Sequence, residues 1–166
     1  MSTDAIVILR EDHKAIRKLF RDFEKAGDDA YATKGHLVKK IIKALTVHTY
    51  LENECMYPEV RKLLPDLEDD ILESYEEHHV ADVLVMELAA MKPHDERFTA
   101  KATVLIENVD HHIDEEEEAW FPKVREELGR KQLQEIGARM IELRKKAPTS
   151  PDQPGALKKA VHAMTA

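Results

Sequence analysis

The sequence predicts an all-α protein, an up-down-up-down four-helix bundle with a short C-terminal helix and tail. Three observations predict it. Apolar residues recur at helical spacing along most of the chain. No alternating β-branched run and no Asn-Gly hairpin competes. Charged residues make up 35% and aromatics only 5%, the balance of long solvated helices rather than of sandwiches or barrels. At 166 residues the chain suits one domain, read as a bundle over 1–146 followed by a Pro-rich linker and tail over 147–166.

The first helix is expected over 4–26, with Ile6, Leu9, Ile16, Phe20 and Phe23 on one stripe and Ser2, Thr3 or Asp4 as cap. Gly27 and Gly35 bracket the first connection, which starts the second helix at 34, with Thr33 as a cap, and carries it to 62. Pro65 marks the next joint, so the third helix runs over 66–91. Pro93 precedes a fourth helix over 95–128, which Gly129 ends. A fifth, shorter helix covers 131–145. Residues 147–155 read as a break, and 156–166 as a short helical tail. Short connections make neighbouring helices antiparallel.

Composition removes several function classes. A net charge of −8 argues against a nucleic-acid binder, which needs a basic face. The single cysteine, Cys55, excludes an internal disulfide and a Cys-only zinc site. Met1–Ala5 has no basic region before an apolar core, so no secretory signal is expected. No apolar run nears the ~20 residues that span a bilayer. The expectation is a soluble cytoplasmic protein without a membrane partner.

Nine histidines carry the functional signal through an internal repeat. His48-x3-Glu52, followed by Tyr57-Pro58, aligns without a gap on His112-x3-Glu116, followed by Phe121-Pro122. Glu11-Asp12-His13 aligns on Glu76-Glu77-His78. The chain thus reads as two helix hairpins, each giving one lone His and one His-x3-Glu. Residues i and i+4 share a helix face one turn apart, so such a pair can reach one metal, or two with the carboxylate between them. Neutral imidazole and carboxylate oxygen suit iron, manganese or zinc. His13, His48, His78 and His112 each lie on an apolar stripe, where an unpaired polar group costs ~1–3 kcal/mol or more. Ala119 is read onto the His112 stripe.

The other polar residues take lesser parts. His79 and His111 point about 100° away and read as surface groups. His36, His94 and His162 lie near connections or in the tail. Glu54 and Glu118 are read as outer or solvated groups, and of the acidic run 114–118 only Glu116 is in register. Cys55 is read as packing, with a redox role as the alternative. Tyr57, Trp120, Phe121 and the two prolines are expected to close the end of the bundle.

These residues resemble the hemerythrin family in its bacterial HHE (His-His-Glu) cation-binding form. The resemblance runs over about 4–128. It implies a non-haem centre of two iron ions, oxo- or hydroxo-bridged, with His13, His48, His78 and His112 as terminal ligands and Glu52 and Glu116 as bridges. Oxygen-carrying hemerythrins use five histidines; here the residues one turn either side of His78 are Ser74 and Asp82. The chain is similar to members with a four-His, two-Glu set, which leaves a position for water, peroxide, nitric oxide or an unusual ligand such as Tyr or Asp. The implied functions are binding, sensing or storing O2, NO or iron. The alternatives are a catalase- or peroxidase-like enzyme acting on hydrogen peroxide, which a nearby proton donor such as Tyr50, Tyr57 or Tyr75 would favour, and a structural metal site.

Overall fold

The structure, a computed structural model, describes residues 2–152. Asp4 caps the first helix, α1 (Ala5–Lys25), by accepting from the Val7 N–H at 3.1 Å, and a bidentate pair with Arg125 fixes its carboxylate. The second bundle helix begins as α2 (Tyr31–Leu51), passes through a π-helical turn (Glu52–Met56) and continues as α3 (Tyr57–Leu63). A 3-10 turn (Pro65–Leu67) leads into α4 (Glu68–Ala90). The fourth rod is α5 (Phe98–Asp114), a second π turn (Glu115–Trp120) and α6 (Phe121–Arg144). The described residues contain no strand.

The two π turns occupy equivalent places in the repeat, and proline explains both. Pro58 and Pro122 lack the N–H that an α-helix needs, and a proline ring clashes with the carbonyl four residues back. Widening the turn relieves the clash: Tyr57 N–H bonds to the Glu52 carbonyl and Phe121 N–H to that of Glu116, each five residues back. The wider turn also shifts the register that follows it. Ala119, expected on the buried stripe, is therefore exposed, while Trp120 is buried.

Three boundaries differ from expectation. The second helix starts at Tyr31 without a side-chain cap, so Thr33 caps nothing. Gly35 ends no helix; it lies inside α2, where an added Cβ would come within 2.5 Å of the Pro93 ring. The third helix opens with the 3-10 turn. Gly129 does break the last rod, at φ 73°, a conformation that suits glycine. The segment beyond it folds back on α1. Gly137 sits where a Cβ would be 1.6 Å from the Thr3 carbonyl oxygen, and Leu133, Ile136 and Met140 are buried. Burying each of these side chains contributes about 1.5–3 kcal/mol. This fifth segment, rather than the aromatic-proline corners alone, closes that end of the bundle. The proposed tail beyond residue 152, with His162, lies outside the described residues.

The core is two apolar clusters separated by a polar layer. One, next to the fifth segment, includes Leu9, Leu51, Met56, Tyr75, Trp120 and Met140. The other, toward the 26–30 and 91–97 connections, includes Ile16, Leu45, Ala81, Val109 and Ile113. Each rod crosses from one cluster to the other at its histidine.

Candidate metal centre

All six expected site residues are brought together in that polar layer: His13, His48, Glu52, His78, His112 and Glu116 are each no more than 4% exposed. They form two groups that share one residue. His13, His48 and Glu52 have ligand-type atoms within 4.8 Å of one another, and so do Glu52, His78, His112 and Glu116. Glu52 stands between two imidazole pairs. Its Oε1 lies 2.9 Å from His48 Nε2 and 3.8 Å from His13 Nε2, and its Oε2 lies 3.0 Å from His78 Nε2 and 4.0 Å from His112 Nε2. Glu116 Oε1 contacts His112 Nε2.

The back of every ring is held by an acceptor from a neighbouring rod. Asp12 on α1 accepts from His48 Nδ1 at 3.1 Å, and Asn53 accepts from His78 Nδ1 at 2.7 Å. Glu77 on α4 accepts from His112 Nδ1 at 3.0 Å, and Glu117 accepts from His13 Nδ1 at 2.8 Å. The ring of contacts closes around the bundle: first rod to second, second to third, third to fourth, fourth back to first. A proton held on Nδ1 leaves the Nε2 lone pair facing inward, the arrangement second-layer partners impose on metal-binding histidines.

This geometry provides its own test of fit. His13 Nε2 and His48 Nε2 lie 3.1 Å apart, and His78 Nε2 and His112 Nε2 lie 3.0 Å apart. Facing lone pairs at such distances repel unless positive charge sits among them. Glu116 Oε2 is buried with no hydrogen-bond partner, and Glu52 Oε1 faces imidazole nitrogens without accepting a hydrogen bond. The donor set of imidazole nitrogen and carboxylate oxygen is the one that suits iron, manganese or zinc. The residues present fit a pair of cations.

Proton affinities tell the same story. Burial alone would lower the pKa of the His48 imidazole, but the Glu52 and Asp12 carboxylates raise it to about 10. Burial also disfavours charge on His112, yet Glu116 and its neighbours lift its pKa well above the ordinary range. Desolvation acts against ionised Glu52, and the charge of His48 nevertheless holds its carboxyl well below the usual range. His78 moves down, through burial and the proximity of His112. The layer as a whole demands positive charge.

Tyr57, expected at the bundle's end and as one candidate proton donor, lies in the layer itself. Its hydroxyl lies 3.3 Å from Glu52 Oε2, 3.1 Å from Glu116 Oε1, and 3.2 Å from both His78 Nε2 and His112 Nε2. One phenol carries one proton, so it can donate to only one of these four acceptors. Burial and the two carboxylates push its pKa well above the ordinary range, which keeps the proton on the oxygen. Phe121, its counterpart in the repeat, stacks on His13 with ring centroids 6.0 Å apart. The acceptors Asn53 and Glu117 were also missed, and the acidic run is not merely solvated at Glu117. A signal existed: each of the four acceptors is the immediate sequence neighbour of a candidate ligand.

The remaining residues stay outside the layer. His111 is 65% exposed and near Glu77 and Glu115. His36 is exposed and His94 stacks on Tyr31. Cys55 is a buried free thiol whose pKa burial raises, as packing would require. Glu118 is exposed and Glu54 half-buried. No helix among the described residues is long and apolar enough to cross a membrane.

Known proteins agree with this architecture. The structure superposes on the crystal structure of a hemerythrin HHE cation-binding domain-containing protein from Mycobacterium kansasii with a TM-score of 0.72, at 21% identity, covering 96% of this chain and 98% of that one. An uncharacterized hemerythrin-like protein of Schizosaccharomyces pombe is 23% identical over 140 residues, 84% of this chain and 68% of the relative. A protein named DNA nickase from Nostoc sp. is 27% identical over 128 residues, 77% of this chain, which spans only 35% of that relative's length. The family model of the hemerythrin HHE cation-binding domain matches residues 4–124. With its His/Glu layer at the centre of that stretch, the chain belongs to the hemerythrin HHE cation-binding domain family.

Proposed function

We propose that the chain is a non-haem di-iron protein that binds a small ligand, O2 or NO, and that residues 1–146 are its working unit. The observation that carries this reading is Glu52: one carboxylate oxygen faces each histidine pair. His13 and His48 would hold one iron, His78, His112 and Glu116 the other, with Glu52 shared. Bound iron would supply an affinity for diatomic ligands and peroxide that no side chain has.

The protein's part is orientation and exclusion. The four Nδ1 acceptors fix the rings. Apolar clusters on both sides keep bulk water out. The cavity beside His48, His78 and His112 measures about 10 Å³, room for roughly one water. A surface pocket of about 390 Å³, lined by Arg10, Lys14, Arg17 and Glu117, reaches His13 and offers a way in.

Tyr57 favours a second reading, decomposition of hydrogen peroxide. Its hydroxyl holds a proton beside two carboxylates, where it could pass one to a reacting oxygen. Elemental analysis with an optical spectrum of aerobically purified protein tests the main reading. Two irons per chain with near-ultraviolet charge-transfer absorption are expected; a single tightly held zinc would overturn it. Oxygen evolution on adding peroxide to the iron-loaded protein decides between the two.

A further inference from the structure

We infer that Arg144, at the end of the segment after Gly129, is a positioning residue for the His13–His48 side of the metal centre and acts through Asp12. The inference rests on the dinuclear reading above. Arg144 Nη2 donates to Asp12 Oδ2 at 2.8 Å, and the same oxygen accepts from His48 Nδ1 at 3.1 Å. A guanidinium thus sets where the carboxylate stands, and the carboxylate sets the plane of the ring.

The Arg144–Asp12 pair adds little to stability as an ion pair, because the arginine side chain is 39% exposed. Its strength as a positioning device comes from the support beneath it. Gly137 abuts the Thr3 carbonyl so closely that no side chain fits, and Ile136 and Met140 are buried against the bundle. The segment cannot slide along α1 without breaking that contact. Asp12 itself is 19% exposed, so without the arginine it can turn to water.

Among the described residues the other half of the centre has no equivalent arginine. Glu77, which holds His112, has the exposed His111 nearby, at 3.8 Å. Arg144 also lies beyond residue 124, where the family match ends. Control from outside the four-helix motif therefore reaches one metal position and not the other.

The test is anaerobic titration of metal-free protein with Co2+, followed by optical absorption and by the exchange of metal-shifted ring N–H protons. Wild type should take two equivalents. In Arg144→Ala one equivalent should bind about tenfold more weakly, the low end for partners behind a ligand, and the other should be unchanged. One ring N–H, the same one perturbed in Asp12→Asn, should exchange faster. Arg144→Lys should recover part of the affinity, since lysine restores a donor without the planar fork. Arg139→Ala removes a 3.0 Å contact to Glu59 from the same segment and should leave both equivalents intact. If Arg144→Ala matches wild type at both equivalents, or if Arg139→Ala weakens binding equally, the positioning role is overturned while the dinuclear reading stands. A wild type that takes fewer than two equivalents overturns the dinuclear reading and this inference with it.

Discussion

Around His78 and His112 a phenol and a second carboxylate crowd the imidazoles; around His13 and His48 the corresponding place holds the face of a phenyl ring. The two halves follow one repeated pattern and share Glu52, yet Tyr57 stands where the other half has Phe121. Glu116 groups with His78 and His112 and contacts His112 Nε2. A repeated helical frame therefore supplies equivalent positions for the imidazoles, and changes at single equivalent positions make the two sides of the layer chemically different. The His13 side is left with fewer protein donors and with the surface pocket at its back.

The largest effect should come from Glu52, the one residue common to both halves. Glu52→Ala should take metal content from two per chain to near zero, whereas Glu116→Ala should empty only the His112 side. Elemental analysis of the two variants checks this, and equal losses would erase the distinction between the halves.

Metal removal should follow in size. Without cations only protons taken up by His48 and His112 balance the buried carboxylates. Saturating metal contributes ~3–4 kcal/mol, so chelation should lower Tm by roughly 10 °C. An unchanged melting curve after verified removal would mean that the layer needs no cation.

Next comes the register on the fourth rod. His112→Ala should strip metal from its side, while His111→Ala, at a residue 65% exposed, should keep metal content within error of wild type. The reverse result would shift the ligand set by one residue.

Finer still is the exchange of the aromatic pair. Tyr57→Phe should leave metal content unchanged and alter the visible spectrum. If Tyr57 passes a proton to peroxide, oxygen evolution should also fall by about 100-fold, the lower range for proton transfer by a positioned side chain. Phe121→Tyr should cost about 1–3 kcal/mol in the metal-free protein, for a buried hydroxyl without a partner, and shift the spectrum modestly with metal bound. Identical spectra in all three proteins would argue that neither ring lies close enough to matter.

The helical class, the break at Gly129 and the six residues that meet in the polar layer are legible in the amino-acid order alone. Periodicity does this work: a four-residue interval fixes a helix face, and the repeat fixes which face and at what depth. The π turns are not legible, because their signal is a proline six residues after the glutamate, which reads equally well as a helix end. The shifted register takes Ala119 off the buried stripe and brings Tyr57, one of three candidate proton donors, to the centre of the layer. The cyclic set of Nδ1 acceptors was likewise invisible as a set, although each member sits beside a ligand in sequence. Which acidic neighbour serves which ring depends on how the rods rotate against each other, and that is decided by side-chain packing across the bundle. The contact from Arg144 to Asp12 is the extreme case. It joins residues at opposite ends of the described chain, and only the fold of the last segment over α1 brings them within 2.8 Å.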